Sequence, residues 1–208
     1  MAADVYVCEM NGASWTLANQ TKLSGASVSV TARYCTMDSA APGDANPIPI
    51  PTSAWNPSYW KNHYLMFSGS NGGTYDFTYV SSIRWYCDGV LFGWSAQKTS
   101  GMVLLMDASG DGSAYGVTSG NYDQATGTQG TSGAKIGEHS AWNSASSQAS
   151  GVNSLANAIT VDERKIEPND TAGFVWSKHL VHQAWVGSNA ASGNPGTETY
   201  TWVWDEVS

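Results

Sequence analysis

The sequence predicts an all-β domain, a sandwich of two sheets. Three observations carry this expectation. Segments that alternate apolar and polar residues with a period of two recur along the chain, as in "DVYVCEM", "ASVSVTARYC" and "TETYTWVWDEV". Turns rich in Gly, Ser and Asn separate them, and few segments read as helix. Charged residues make up 12% of the 208 residues, against about 25% in ordinary soluble domains. Ten Trp and ten Tyr instead place large apolar area at few positions. One domain spanning 1–208 is the simplest organisation for this length. Its expected wiring is an immunoglobulin-like or jelly-roll β-sandwich with long loop excursions.

The elements follow in order. In "DVYVCEM", Val5, Val7 and Glu9 alternate with Tyr6, Cys8 and Met10. In "ASVSVTARYC", Val28, Val30, Ala32 and Tyr34 face one way, and Ser27, Ser29 and Thr31 face solvent. "NHYLMF" and "TYDFTYV" flank the glycine-rich "SGSNGG", a turn. "SSIRWYCDG" ends in Asp88-Gly89, a hairpin signal, and "VLFGWSA" follows it. "GMVLLMDA" is a continuous apolar run, the mark of a strand buried on both faces. "AGFVWSKHLVHQAWV" and "TETYTWVWDEV" complete roughly nine or ten strands. In the last, Tyr200, Trp202 and Trp204 share one face, so the strand is expected inside a sheet.

Two stretches depart from this pattern. Pro47, Pro49 and Pro51 alternate within a proline-rich arm at 42–51, which suits an extended arm and not a paired central strand. Residues 108–158 form a Gly/Ser-rich excursion, long enough that it is expected to pack or to order against a partner. Within it, "SSQASGVNSLANAI" is a candidate short helix.

Charge narrows the function classes. The net charge is −8, and the nine basic residues are scattered. A nucleic-acid partner and an anionic membrane surface are therefore not expected. "MAADVYVCEMNG" has neither a positive n-region nor an apolar h-region, so no signal peptide is expected there. No run of 18 apolar residues suggests a transmembrane helix. Cys8, Cys35 and Cys87 match no zinc spacing and read as buried, reduced thiols, with one disulfide as the alternative.

Few motifs carry chemistry. Asp107, Ser109 and Asp111, followed by Gly112, mimic the first half of a calcium loop. Position twelve is Thr118 where a Glu is needed, and no helix pattern flanks it, so a plain turn is favoured over calcium. His179 and His182 face opposite sides of a strand and read as structural or surface residues, not as shared metal ligands. A glycosidase needs two carboxylates across a cleft. Of Glu9, Glu138, Glu163, Glu167, Glu198 and Glu206, only Glu9 and Glu206 come near the aromatic strands, and both read as solvated carboxylates. No nucleophile elbow or phosphate loop occurs, so no catalytic residue is assigned and the expectation is a non-enzymatic protein. "WNPSYW" places Trp55, Tyr59 and Trp60 in a proline-bounded loop. With Trp142 they are the candidate binding residues, for a protein interface or a sugar platform. Asn19-Gln-Thr21 and Asn169-Asp-Thr171 fit the glycosylation triplet, which matters only in a glycosylating host.

The opening "VYVCEMNG" and closing "YTWVWDEV" resemble a loose group of β-rich structural proteins of tailed phages and related viruses. The polar turn and strand of "SNAASGNPGTETYTWVW" resemble the last hairpin of bacterial and viral immunoglobulin-like modules. The resemblance covers the terminal stretches and carries no catalytic motif. It implies a virion structural protein made in the host cytoplasm, either a capsid decoration protein or a tail or fibre component. Other virion proteins or further copies of the chain would be its partners, held by adhesion, with a homo-oligomer expected. The alternative is a secreted, extracellular carbohydrate-binding or adhesion module that stacks Trp and Tyr on a glycan.

Overall fold

The computed structural model describes residues 4–11, 20–25, 33–37, 39–40, 44, 46–53, 55–59, 61–68, 77–87, 101–107, 154–168, 173–193 and 198–208. Ten strands account for the regular structure among them: β1 (Asp4–Met10), β2 (Gln20–Lys22), β3 (Trp55–Pro57), β4 (Lys61–Ser68), β5 (Tyr79–Cys87), β6 (Met102–Asp107), β7 (Ile159–Asp162), β8 (Phe174–Trp176), β9 (Leu180–Gly187) and β10 (Tyr200–Val207). Among the described residues every strand pairing is antiparallel. One sheet of seven strands runs β2-β1-β4-β9-β3, with β8 joined to β4 and β6 to β9. A second sheet of three runs β10-β5-β7. The all-β class expected from the sequence is what the chain adopts.

Period-two alternation builds the core between the sheets. On β4, Leu65 and Phe67 point inward, and Tyr64 and Met66 point outward. The register places Val7 opposite Leu65 and Val5 opposite Phe67, so β1 adds to the same inner face. From the second sheet come Val80, Ile83, Trp85 and Cys87 of β5 and Ile159 and Val161 of β7. Tyr200, Trp202 and Trp204 of β10 pack against them as the alternation predicts. The core is mainly aromatic and β-branched. The outer face of the large sheet carries its own buried cluster of Cys8, Met10, Tyr64 and Met66, with Tyr6, Phe174 and Trp176 against it.

Several expected elements take a different form. The segment read as "AGFVWSKHLVHQAWV" is two strands, broken at Ser177–His179. The break lets one strand of the sheet serve two neighbours: β8 pairs with Met66–Ser68 and β9 with Lys61–His63. Ser177 spans the gap, its hydroxyl accepting the Leu65 N–H at 3.0 Å while its own N–H donates to the Leu65 carbonyl at 2.9 Å. The candidate helix of 146–159 is a single 3-10 turn, Leu155–Asn157, within its described part. Arg33–Cys35, at the end of the expected "ASVSVTARYC" strand, is irregular; the rest of that segment, and "VLFGWSA" with its hairpin, lie outside the described residues. Among the described residues β10 is paired along one side, with β5.

β5 carries a bulge. Val203 pairs with Arg84 and Asp205 with Ser81, so the register slips across Ser82. Ser82 sits at φ 53, and the slip lets both Val80 and Ile83 turn inward though three positions apart. Residues 47–51 lie outside any strand, in keeping with three prolines that cannot donate to a ladder. Ile48 packs against this chain's own core, and Ile50 is exposed.

Candidate functional site

Charged residues continue the apolar inner face at one end of the large sheet. Lys61 and His63 lie four and two positions before Leu65 on β4 and share its face. Glu9 of β1 is directly opposite His63, and His182 of β9 is directly opposite Lys61. Four ionisable side chains from three adjacent strands thus meet between the sheets. Glu9 and His182 are 0% exposed, Lys61 1% and His63 2%.

The Glu9 carboxylate organises the group. Its Oε1 accepts hydrogen bonds from Lys61 Nζ at 3.0 Å and Asn11 Nδ2 at 2.9 Å. Its Oε2 lies 3.0 Å from His63 Nε2. Burial pushes the Glu9 carboxyl up, but the His63 hydrogen bond and the charges of His63 and Lys61 outweigh it and hold the group down at about 2. Lys61 Nζ also donates to the Ser39 carbonyl. The Glu9 carboxylate is therefore ionised at neutral pH, with Lys61, Asn11 and His63 as its hydrogen-bond partners.

His182 extends the cluster to the second sheet. Its ring meets His63 edge to face, centroids 4.3 Å apart, and lies 5.8 Å from Trp85 and 5.5 Å from Tyr200. His182 Nδ1 is 2.8 Å from the Tyr34 hydroxyl, which is 2.7 Å from the Tyr200 hydroxyl. Burial, then the nearby His63 and Lys61 charges, hold His182 well below the ordinary histidine value. The ring is therefore neutral at pH 7. Burial and the neighbouring Tyr200 push the Tyr34 hydroxyl up, so it keeps its proton and can serve as donor. His182 Nε2 and Trp85 Nε1 are buried with no hydrogen-bond partner among the described residues.

A second polar pair sits on the opposite face. His179 Nδ1 is 2.8 Å from Asn62 Oδ1, and the His179 ring stacks on Tyr64 at 4.6 Å. The two histidines do face opposite sides, and both are buried structural residues. Among the described residues, no group of three or more potential ligands could hold a metal ion. Asp162, also buried, ties the sheets together. It accepts from Arg164 through both carboxylate oxygens and from the Lys178 N–H at 2.8 Å.

The sequence expectations fare unevenly. Glu9 is not a solvated carboxylate but the centre of the sealed cluster, because strand alternation turns it inward with Val5 and Val7. Glu206 is partly buried on β10. Tyr59 is 7% exposed, and its N–H donates to the Cys35 carbonyl at 2.7 Å, so the ring is not an open stacking surface. The Trp55 backbone belongs to β3, paired with Gly187. Trp60 and Trp142 lie outside the described residues, as do Ser109 and Asp111 of the calcium candidate. Asp107 ends β6 opposite Val181. The three cysteines are free and buried, as read, and burial pushes the Cys8 thiol up to about 12. Lys61 and His63 are not singled out by the sequence, and Tyr34 and Tyr200 are read there only as strand positions. The signal for Lys61 and His63 is a charged or polar residue continuing an apolar face, visible in "KNHYLMF" once the strand register is known.

No family model, curated protein or solved structure matches the chain. The chemistry of the cluster must be read from its own geometry. Acid–base catalysis requires a side chain within hydrogen-bond reach of the substrate. These four side chains are at 0–2% exposure, away from the surface. What they can do is bind or lose a proton and hold three strands and a loop in one register.

Proposed function

We propose that this chain is a non-enzymatic structural protein of a virion, a capsid decoration protein or a tail or fibre component that works by protein–protein adhesion. An immunoglobulin-like or jelly-roll wiring belongs to the same reading. The supporting observation is the proline arm. Residues 47–51 lie outside any strand, Ile48 packs against the core, and Ile50, two residues later, is 41% exposed. An arm fixed at its base with an apolar residue at its face suits insertion into a neighbouring subunit, by strand addition or by filling a pocket. The sealing of the cluster around Glu9 also favours a structural role for the most strongly polar group of the interior.

The partner is a second copy of the chain or another virion protein, and the working place is the virion. Sedimentation of the full chain and of a variant lacking residues 47–51 tests this. The expected result is a symmetric oligomer for the first and a folded monomer for the second. A monomeric full chain that instead binds a soluble polysaccharide saturably, read by tryptophan fluorescence, overturns it in favour of an extracellular glycan-binding module.

A further inference from the structure

One carboxylate oxygen of the sealed cluster touches two groups that can react with each other. Glu9 Oε1 accepts from Lys61 Nζ at 3.0 Å and from Asn11 Nδ2 at 2.9 Å. The register explains the meeting. Glu9 stands opposite His63. Two further residues along each chain, in the same antiparallel sense, bring Asn11 opposite Lys61, just past the end of β1. Both reacting ends are held. Lys61 Nζ also donates to the Ser39 carbonyl, and Glu9 Oε2 lies 3.0 Å from His63 Nε2.

This arrangement favours reaction in three ways. An amine and a carboxamide held side by side are spared the entropy of meeting. A carboxylate in contact with both can carry protons from one to the other. Burial keeps water from competing, and ligation replaces a buried ammonium, costly to hold away from water, by a neutral amide.

We infer that Lys61 and Asn11 join in an intramolecular amide bond, with Glu9 carrying the protons. Oε1 takes one proton from the Lys61 ammonium, and the freed Nζ lone pair adds to Asn11 Cγ. That proton passes from Oε1 to Nδ2, and a second from Nζ follows through the same oxygen. The Cγ–Nδ2 bond breaks and the Nζ–Cγ amide is left. Two Lys61 protons depart with the Asn11 nitrogen as ammonium, the third stays on the new amide, and Glu9 ends as the carboxylate it began as. Nothing is oxidised or reduced, and the step balances without a co-reactant. The Lys61–Glu9 ion pair is the reactant state. The bond fastens the end of β1 to the start of β4, whether or not the arm binds a partner.

Mass spectrometry of the purified, denatured full chain tests the ligation. The expected wild-type mass is one ammonia, about 17 Da, below that of the sequence. Trypsin, which needs a free lysine side chain, should spare Lys61 and yield residues 1–22 joined to 34–84. Lys61→Met and Asn11→Ala should each show the full mass of their own sequence. Glu9→Gln keeps both reacting groups and should still show full mass, with Lys61 unligated. Asn11 precedes Gly12, and closure of Asn11 onto its own backbone would shed the same ammonia. That side reaction needs no lysine and leaves residues 1–22 unbranched. A wild-type chain at full mass, an ammonia loss without the branched peptide, or a branched peptide in Glu9→Gln overturns the inference. If Glu9→Gln does not fold, the wild-type peptide map and Asn11→Ala, which leaves the ion pair in place, decide the matter.

Discussion

Glu9 shows how one residue's role depends on register. Its sequence neighbourhood reads as a polar position near the end of a strand, yet β1 pairs with β4 so that Glu9 meets His63 across the ladder. Removing its charge leaves Lys61 buried without its counter-ion and takes the carboxylate partner from His63. Glu9→Gln is expected to lower stability by about 3 kcal/mol, in the range found when a buried pair loses one partner, read as a shift of the urea midpoint at pH 7. The double variant Glu9→Gln/Lys61→Met should recover part of that loss, since the orphaned ammonium goes too. A double variant as unstable as the sum of the singles would mean that the two side chains do not interact. Solvation made the difference here: a carboxylate is assigned to water by default, and only the positions of Lys61 and His63 show that this one is matched inside.

At the scale of elements, alternation was the legible signal and irregularity was not. "DVYVCEM", "NHYLMF" and "TETYTWVWDEV" became β1, β4 and β10 because a period of two survives any tertiary arrangement. The break at Ser177–His179 was hidden, because it depends on Ser177 bonding to Leu65, a residue 112 positions away. The bulge at Ser82 was hidden for the same kind of reason. Both yield predictions. Ser82 lies at φ 53, where Gly is at least as comfortable, so Ser82→Gly should be neutral or nearly so, and Ser82→Val should cost about 1–2 kcal/mol by thermal denaturation. Gly101 is less forgiving. Its φ is +69, and a Cβ there would stand 2.4 Å from the Ala190 backbone, where the Gly101 carbonyl also receives the Gly187 N–H. Gly101→Ala should destabilise the β6–β9 end by about 2 kcal/mol or more.

At the scale of the whole molecule, the fold class was readable and the buried site was not. Composition and alternation require a sandwich, but the polar cluster needs β1, β4, β9, β10 and the Tyr34 loop together, and no local pattern sets that assembly. Its electrostatics predict an acid-sensitive molecule. His182 is held low, so its contribution is full above about pH 6.5 and fades below. Glu9, held at about 2, contributes fully above about pH 4.5 and loses about 3 kcal/mol as pH falls from there toward 2. Urea midpoints at pH 7.5, 5.5 and 3.5 should therefore fall successively, and Glu9→Gln should remove part of the fall between 5.5 and 3.5, the rest belonging to His182. The claim that everything else serves is that the chain works by holding a partner through its arm. Ile50 is exposed on that arm, so Ile50→Asp should leave the thermal midpoint unchanged while sedimentation equilibrium reports loss of the oligomer. An Ile50→Asp chain that sediments at the same mass as the wild type would contradict the account.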